Sequence, residues 1–129
     1  MANATLKATF SISSTDLFDS VNLSKTVSNT LTIDGDNRQG LSTMTTSNSY
    51  ADINIEDLAG TTDGTKKAYV YAKNLDTTID LIFADDGNAI FARLSPGEFM
   101  FYPTAFNTKI QVKSASGTPM VEFLLLEVD

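Results

Sequence analysis

Apolar and polar residues alternate with a period of two along most of the chain. Leu6, Ala8, Phe10 and Ile12 are separated by Lys7, Thr9 and Ser11, the spacing of a strand that buries one face and wets the other. Val21 and Leu23 alternate with Ser20 and Asn22. Val27, Leu31 and Ile33 then share a parity opposite Ser28, Thr30 and Thr32. Asp34-Gly35-Asp36-Asn37, running on to Gly40, predicts a turn, because Gly and Asn accept positive φ and Asp caps its own turn. Residues 41–49 are polar and weakly patterned, so an edge strand and a loop both fit. Ala51, Ile53 and Ile55 alternate again, residues 55–59 have room for one helical turn, and Gly60-Thr61-Thr62-Asp63-Gly64 predicts another turn.

The strand signal is denser in the second half. Ala68, Val70 and Ala72 share one face against Tyr69, Tyr71 and Lys73. Ile79, Leu81 and Phe83 lead to Asp85-Asp86-Gly87-Asn88, a tight-hairpin signal, and Ile90 and Phe91 open the return strand through Leu94. Ser95-Pro96-Gly97-Glu98 has Pro second and Gly third, the type II preference. Phe99–Tyr102, Lys109–Lys113, a turn at Ser116-Gly117-Thr118-Pro119 and Met120–Val128 complete the chain. The pattern predicts an all-β protein of about ten short strands with turns every 8–12 residues. The expected architecture is a single antiparallel β-sandwich spanning residues 1–129, jelly-roll or immunoglobulin-like. Residues 1–5 are expected to form an N-terminal arm.

The last strand breaks the alternation. Val121, Phe123 and Leu125 form one face, yet Leu124 and Leu126 are apolar on the other. Either this chain covers both faces, or Leu124 and Leu126 lie in a subunit contact, since exposed apolar patches mark association. Tyr69, Tyr71 and Tyr102 also sit opposite apolar positions and are candidate partner-facing aromatics.

Composition then narrows the chemistry. The 129 residues contain no Cys, no His and no Trp. A thiol nucleophile, an imidazole base, a Ser-His-Asp triad and the usual zinc and haem ligands are thereby excluded. No catalytic residue, metal site or cofactor is expected. Without Cys, stability does not come from disulfides, which is compatible with folding in a reducing host cytoplasm. The residues before Leu6 lack the pattern of a secretory signal, and no apolar run approaches the length of a membrane span.

Nine basic residues against sixteen acidic ones give a formal charge of −7. Of this, residues 1–50 carry −1 and residues 51–90 carry −5. Such a surface repels phosphate backbones and anionic headgroups, so neither nucleic acid nor membrane is an expected partner. The acidic stretch acts as a solvated face or meets a basic partner surface.

The remaining candidates are weak. Asp80, Glu98, Glu122 and Glu127 fall on or beside strands, where a glycosidase would place two carboxylates, but such clefts are commonly lined by the Trp this chain lacks. Asp34-x-Asp36-Asn37 starts like a calcium loop, yet Arg38, Gln39 and Thr45 stand where ligand, glycine and bidentate Glu are needed. Asp85-Asp86-Gly87-Asn88 likewise fits a turn better than a metal loop. No motif selects a Ser–Lys nucleophile pair. The threonines recur at no fixed period, which argues against a flat ice-binding ladder.

Lys73-Asn74-Leu75, then Leu94-Ser95-Pro96-Gly97-Glu98, then Phe99, Phe101 and Tyr102 make up a succession that resembles small structural proteins of tailed-bacteriophage virions. It is most like that of capsid decoration, or cement, proteins, and covers about residues 66–129. The resemblance implies a non-enzymatic β-sandwich on the capsid exterior that stabilises the shell by bridging major capsid proteins. It also implies a homo-oligomer, a trimer before a dimer, made in the host cytoplasm and located in the virion. It carries over no catalytic residues. Another virion component (tail, fibre or head-tail protein) and a carbohydrate-binding sandwich that stacks sugars on Tyr69, Tyr71 or Tyr102 are the alternatives.

Overall fold

A computed structural model describes residues 2–15, 21–33, 41–53, 67–85, 87–103 and 110–128, without the side chains of 2–4, 21, 22, 32, 33, 67, 68 and 125–128. The turns expected at 34–40 and 60–64 and the helical turn at 55–59 lie outside these residues.

The protein is all-β. Among the described residues ten strands follow in order: β1 (Ala2–Ser14), β2 (Val21–Ile33), β3 (Ser42–Thr45), β4 (Ala51–Ile53), β5 (Lys67–Asn74), β6 (Leu81–Ala84), β7 (Ile90–Leu94), β8 (Phe99–Pro103), β9 (Ile110–Ser114) and β10 (Met120–Val128). The weakly patterned residues 41–49 thus contribute a short edge strand. Every pairing among the described residues is antiparallel. A six-stranded sheet runs β1-β2-β10-β5-β8, with β3 beside the first half of β10, and a four-stranded sheet runs β4-β9-β6-β7.

The inward parities of the two sheets form the core. Val70, Ala72 and Val121 from the larger sheet meet Ile53, Leu81, Phe83, Leu94, Ile110 and Val112 from the smaller, all buried. Packing two apolar sheet faces together is the sandwich solution to period-two patterning. The chain crosses between the sheets at the predicted tight turns. In Ser95–Glu98, Gly97 takes φ +80° and the Glu98 N–H donates to the Ser95 carbonyl over 3.0 Å. Gly117 (φ +61°) turns β9 into β10.

Two expectations are revised in the N-terminal third. The strands there are not short: β1 and β2 have 13 residues each and pair without a break from Ala2 opposite Ile33 to Ser14 opposite Val21. At about 3.4 Å per residue the ribbon is roughly 44 Å long. Residues 2–5 are not a free arm either, since they pair with Thr30–Ile33. The projecting element is the whole ribbon, whose backbone pairing to the body, among the described residues, is Val128 opposite Ile33.

Candidate interaction surface

Register places the candidate residues on the two sides of the larger sheet. Paired residues share a face, so the rows Glu122–Lys73–Phe99, Leu124–Tyr71–Phe101 and Leu126–Tyr69–Pro103 all lie on the side away from the core. Tyr69, Tyr71 and Leu124 are therefore brought together. Leu126 falls in register beside them, opposite Tyr69; its side chain lies outside the described residues.

Contacts across β5, β8 and β10 fix this surface. The Tyr69 and Phe101 rings stack, with centroids 5.7 Å apart and planes inclined by 19°, a favourable offset geometry. The Tyr71 hydroxyl donates to Glu122 Oε1 over 2.9 Å. Partial burial first, then this bond and the negative charge of Glu122, hold the Tyr71 phenol above the ordinary tyrosine pKa. Phe99 and Phe101 are exposed, while Tyr69, Tyr71 and Leu124 are half-buried. The result is a wide aromatic and aliphatic surface, with Lys73 and Glu122 opposite each other in register.

Tyr102 does not belong to this surface. It pairs with Val70 and so points to the core side, where it packs against the buried cluster and meets Phe91 edge-on at 5.8 Å. Its parity in Phe99-Met100-Phe101-Tyr102 is ambiguous from sequence because all four residues are apolar or aromatic. The prolyl-glycyl turn before β8 sets the phase and turns Phe99 and Phe101 outward. These two phenylalanines are the surface residues that the alternation left unassigned.

The carboxylates weighed for catalysis have local partners. Asp80 faces Arg93 at 3.7 Å, Glu98 Oε2 accepts from the Ser95 N–H at 2.8 Å, and Glu122 is held by Tyr71. The Glu127 side chain lies outside the described residues. Asp85 Oδ1 accepts from the Gly87 and Ala89 N–H groups, closing the β6–β7 turn as predicted, with Asn88 at φ +62°. Asp34–Asn37 lies outside the described residues. Among the described residues no group of three metal-ligating side chains occurs, and no helix is long and apolar enough to cross a membrane.

The ribbon is a second surface, which the sequence pattern misplaced. Its alternation predicts half-buried strands, yet Phe10 is 54% exposed, Ile12 55% and Leu23 51%. Leu31, at the ribbon's base, is buried. Period-two patterning specifies an apolar face; it carries no signal for which molecule covers that face.

No protein-family model, no curated protein and no solved structure matches the chain.

Proposed function

We propose that this chain is a non-enzymatic structural protein of a tailed-phage virion, bound to the outside of the capsid and stabilising the shell by bridging major capsid proteins. The observation that carries the reading is the outer side of β5, β8 and β10, where Phe99 and Phe101 stand exposed beside Tyr69, Tyr71 and Leu124. Aromatic residues on a rigid sheet are the composition of protein-binding surfaces. A shell offers such a surface many equivalent sites, so contacts of modest strength add through multivalency.

The elements that resemble decoration proteins also form one physical unit. Asn74 binds the Leu94 carbonyl through its side chain, and its main chain exchanges hydrogen bonds with Gly97 and Glu98. Their role in this reading is to hold the sandwich corner rigid.

The test is to quantify the protein in purified particles and locate it on the shell. Hundreds of copies at symmetry-related positions on the capsid exterior are expected, together with loss of heat resistance in shells stripped of it. Six or twelve copies confined to a tail ring, or absence from the particle, would overturn the reading. The stacked pair Tyr69–Phe101 favours one second reading, a sugar-stacking platform. Binding on a glycan array that is lost in Tyr69→Ala would select it.

A further inference from the structure

We propose that the apolar side of the β1–β2 ribbon docks on the outer face of the six-stranded sheet of a second copy of this chain, the two copies exchanging ribbons reciprocally. Four observations lead to this contact.

The ribbon is one-sided. Leu6, Ala8, Phe10 and Ile12 face outward with their partners Val27 and Leu23, whereas Lys7, Thr9, Ser11, Thr26 and Ser28 share the opposite side. On that polar side the Thr9 and Thr26 hydroxyls bond to each other over 3.0 Å. Two strands alone are marginal in water, and a ribbon with one apolar side requires one covering layer.

Charge selects the covering surface. β1 and β2 contain Lys7 and Lys25 and no carboxylate; with Asp16 and Asp19 in the segment that joins them the hairpin is neutral overall, and the formal −7 lies in the rest of the chain. Lys25 lies within the apolar stripe, opposite Phe10. Stacking ribbon on ribbon would bring like charges together, whereas the body of a second copy is acidic and presents Glu122 beside Lys73 on the outer face.

Donor and receiver also lie on one side of one sheet. Val128 pairs with Ile33, which puts the parity of Leu23, Val27 and Ile33 on the side of Glu122 and Leu124. Two copies set face to face about a two-fold axis therefore cover each other, the self-complementary arrangement of an isologous contact. Area agrees with reciprocity. A ribbon about 44 Å long and about 10 Å wide presents roughly 440 Å² per side, about half of what each partner buries in a standard interface. Giving one ribbon and receiving another reaches that value.

The contact occupies the outer face on which the capsid reading rests, so in the dimer the shell would be met by another side of the molecule. The two are tested separately, the contact on the isolated protein and the capsid reading on whole particles. The absence of cysteine makes the test direct. Phe10→Cys and Phe101→Cys each alter an exposed ring. Mixed and treated with a short bismaleimide, the two variants should give a covalent species of about twice 13.9 kDa, much more abundant than in either variant alone. Light scattering should show a dimer for the unmodified chain and a monomer for Phe10→Asp/Leu23→Asp, with an unchanged circular dichroism spectrum. If the double variant unfolds, the cross-link decides. A monomeric unmodified chain at about 100 µM, linkage of Phe10→Cys only to itself, or capture of the ribbon solely by a different protein in particles would overturn the proposal.

Discussion

The side-chain amide of Asn74, at the end of β5, donates to the main-chain carbonyl of Leu94, at the end of β7, over 2.9 Å. The bond joins the two sheets, because β5 belongs to the larger and β7 to the smaller. The same amide nitrogen donates to the Ile79 carbonyl at 2.8 Å, and Asn74 Oδ1 accepts from the Asp76 N–H at 3.0 Å. A fully buried amide thus has three of its four bonding positions filled.

Replacing Asn74 with Leu should therefore be severe. The substitution keeps the volume but leaves two carbonyls and one N–H without their partner, and each lost partner in a buried setting costs about 1–3 kcal/mol. Since the Ile79 and Asp76 groups are only partly buried and regain water, the expected loss is about 3 kcal/mol. Urea unfolding followed by circular dichroism should show the midpoint falling sharply with an unchanged slope. A loss below about 1 kcal/mol would mean that the corner does not depend on this side chain.

The two glycines at sheet-crossing turns should respond in a defined order. Gly97 (φ +80°) has open space where a Cβ would go, so Gly97→Ala carries only the left-handed backbone penalty of about 1 kcal/mol. At Gly117 (φ +61°) a Cβ would also lie 3.0 Å from Ile79 Cδ1. Gly117→Ala should lose the same amount plus the cost of shifting that methyl group. Thermal melts of the two variants check the ranking, and a Gly97→Ala protein less stable than Gly117→Ala would contradict it.

How much of this was legible follows from what each signal encodes. Turn chemistry is local, so the turns at Ser95-Pro96-Gly97-Glu98 and Asp85–Asn88 are legible, the first with Gly97 at its positive-φ position. Period two specifies faces, so Tyr69 and Tyr71 are set opposite Ala68, Val70 and Ala72; that Leu124 lies beside them comes from the register alone. Where both parities are apolar, as in Phe99–Tyr102, phase depends on the partner strand and Tyr102 was misassigned. The ribbon failed for a different reason. Leu6 to Ile12 has the pattern of a covered strand, and cover is a property of what lies opposite rather than of the strand itself. The polar Ser24-Lys25-Thr26 continues the ladder opposite Ser11, Phe10 and Thr9.

Leu124→Asp probes the outer face. Leu124 is half-buried beside Tyr71 and away from the core, so a carboxylate there retains access to water while adding negative charge next to Glu122. The expected outcome is a folded protein whose self-association weakens at least about 100-fold, near 3 kcal/mol, as for the loss of an interface anchor. Sedimentation against concentration measures it. A variant that loses its strand signal would place Leu124 in the intrachain core instead. Leu126→Asp, one register step away opposite Tyr69, is expected to behave alike.

Tyr102 links stability to alkaline pH. Burial raises its phenol to about 12 from an ordinary value of 10, and its hydroxyl is buried without a hydrogen-bond partner. Below pH 10 the phenol is neutral in both the folded and unfolded chains, and stability does not depend on it. Between pH 10 and about 12 the unfolded tyrosine ionises while the folded one stays protonated, so unfolding releases a proton and is favoured as pH rises. The loss across that window is on the order of 2 kcal/mol. Tyr71, also raised, acts in the same direction. Tyr102→Phe removes the ionisable group and the unpaired hydroxyl while keeping the ring against Phe91. It should equal or exceed the parent in stability at pH 7, by up to about 1 kcal/mol, and its urea midpoint should decline less between pH 10 and 12. Parallel declines for the two proteins would show that Tyr102 ionises freely in the folded state.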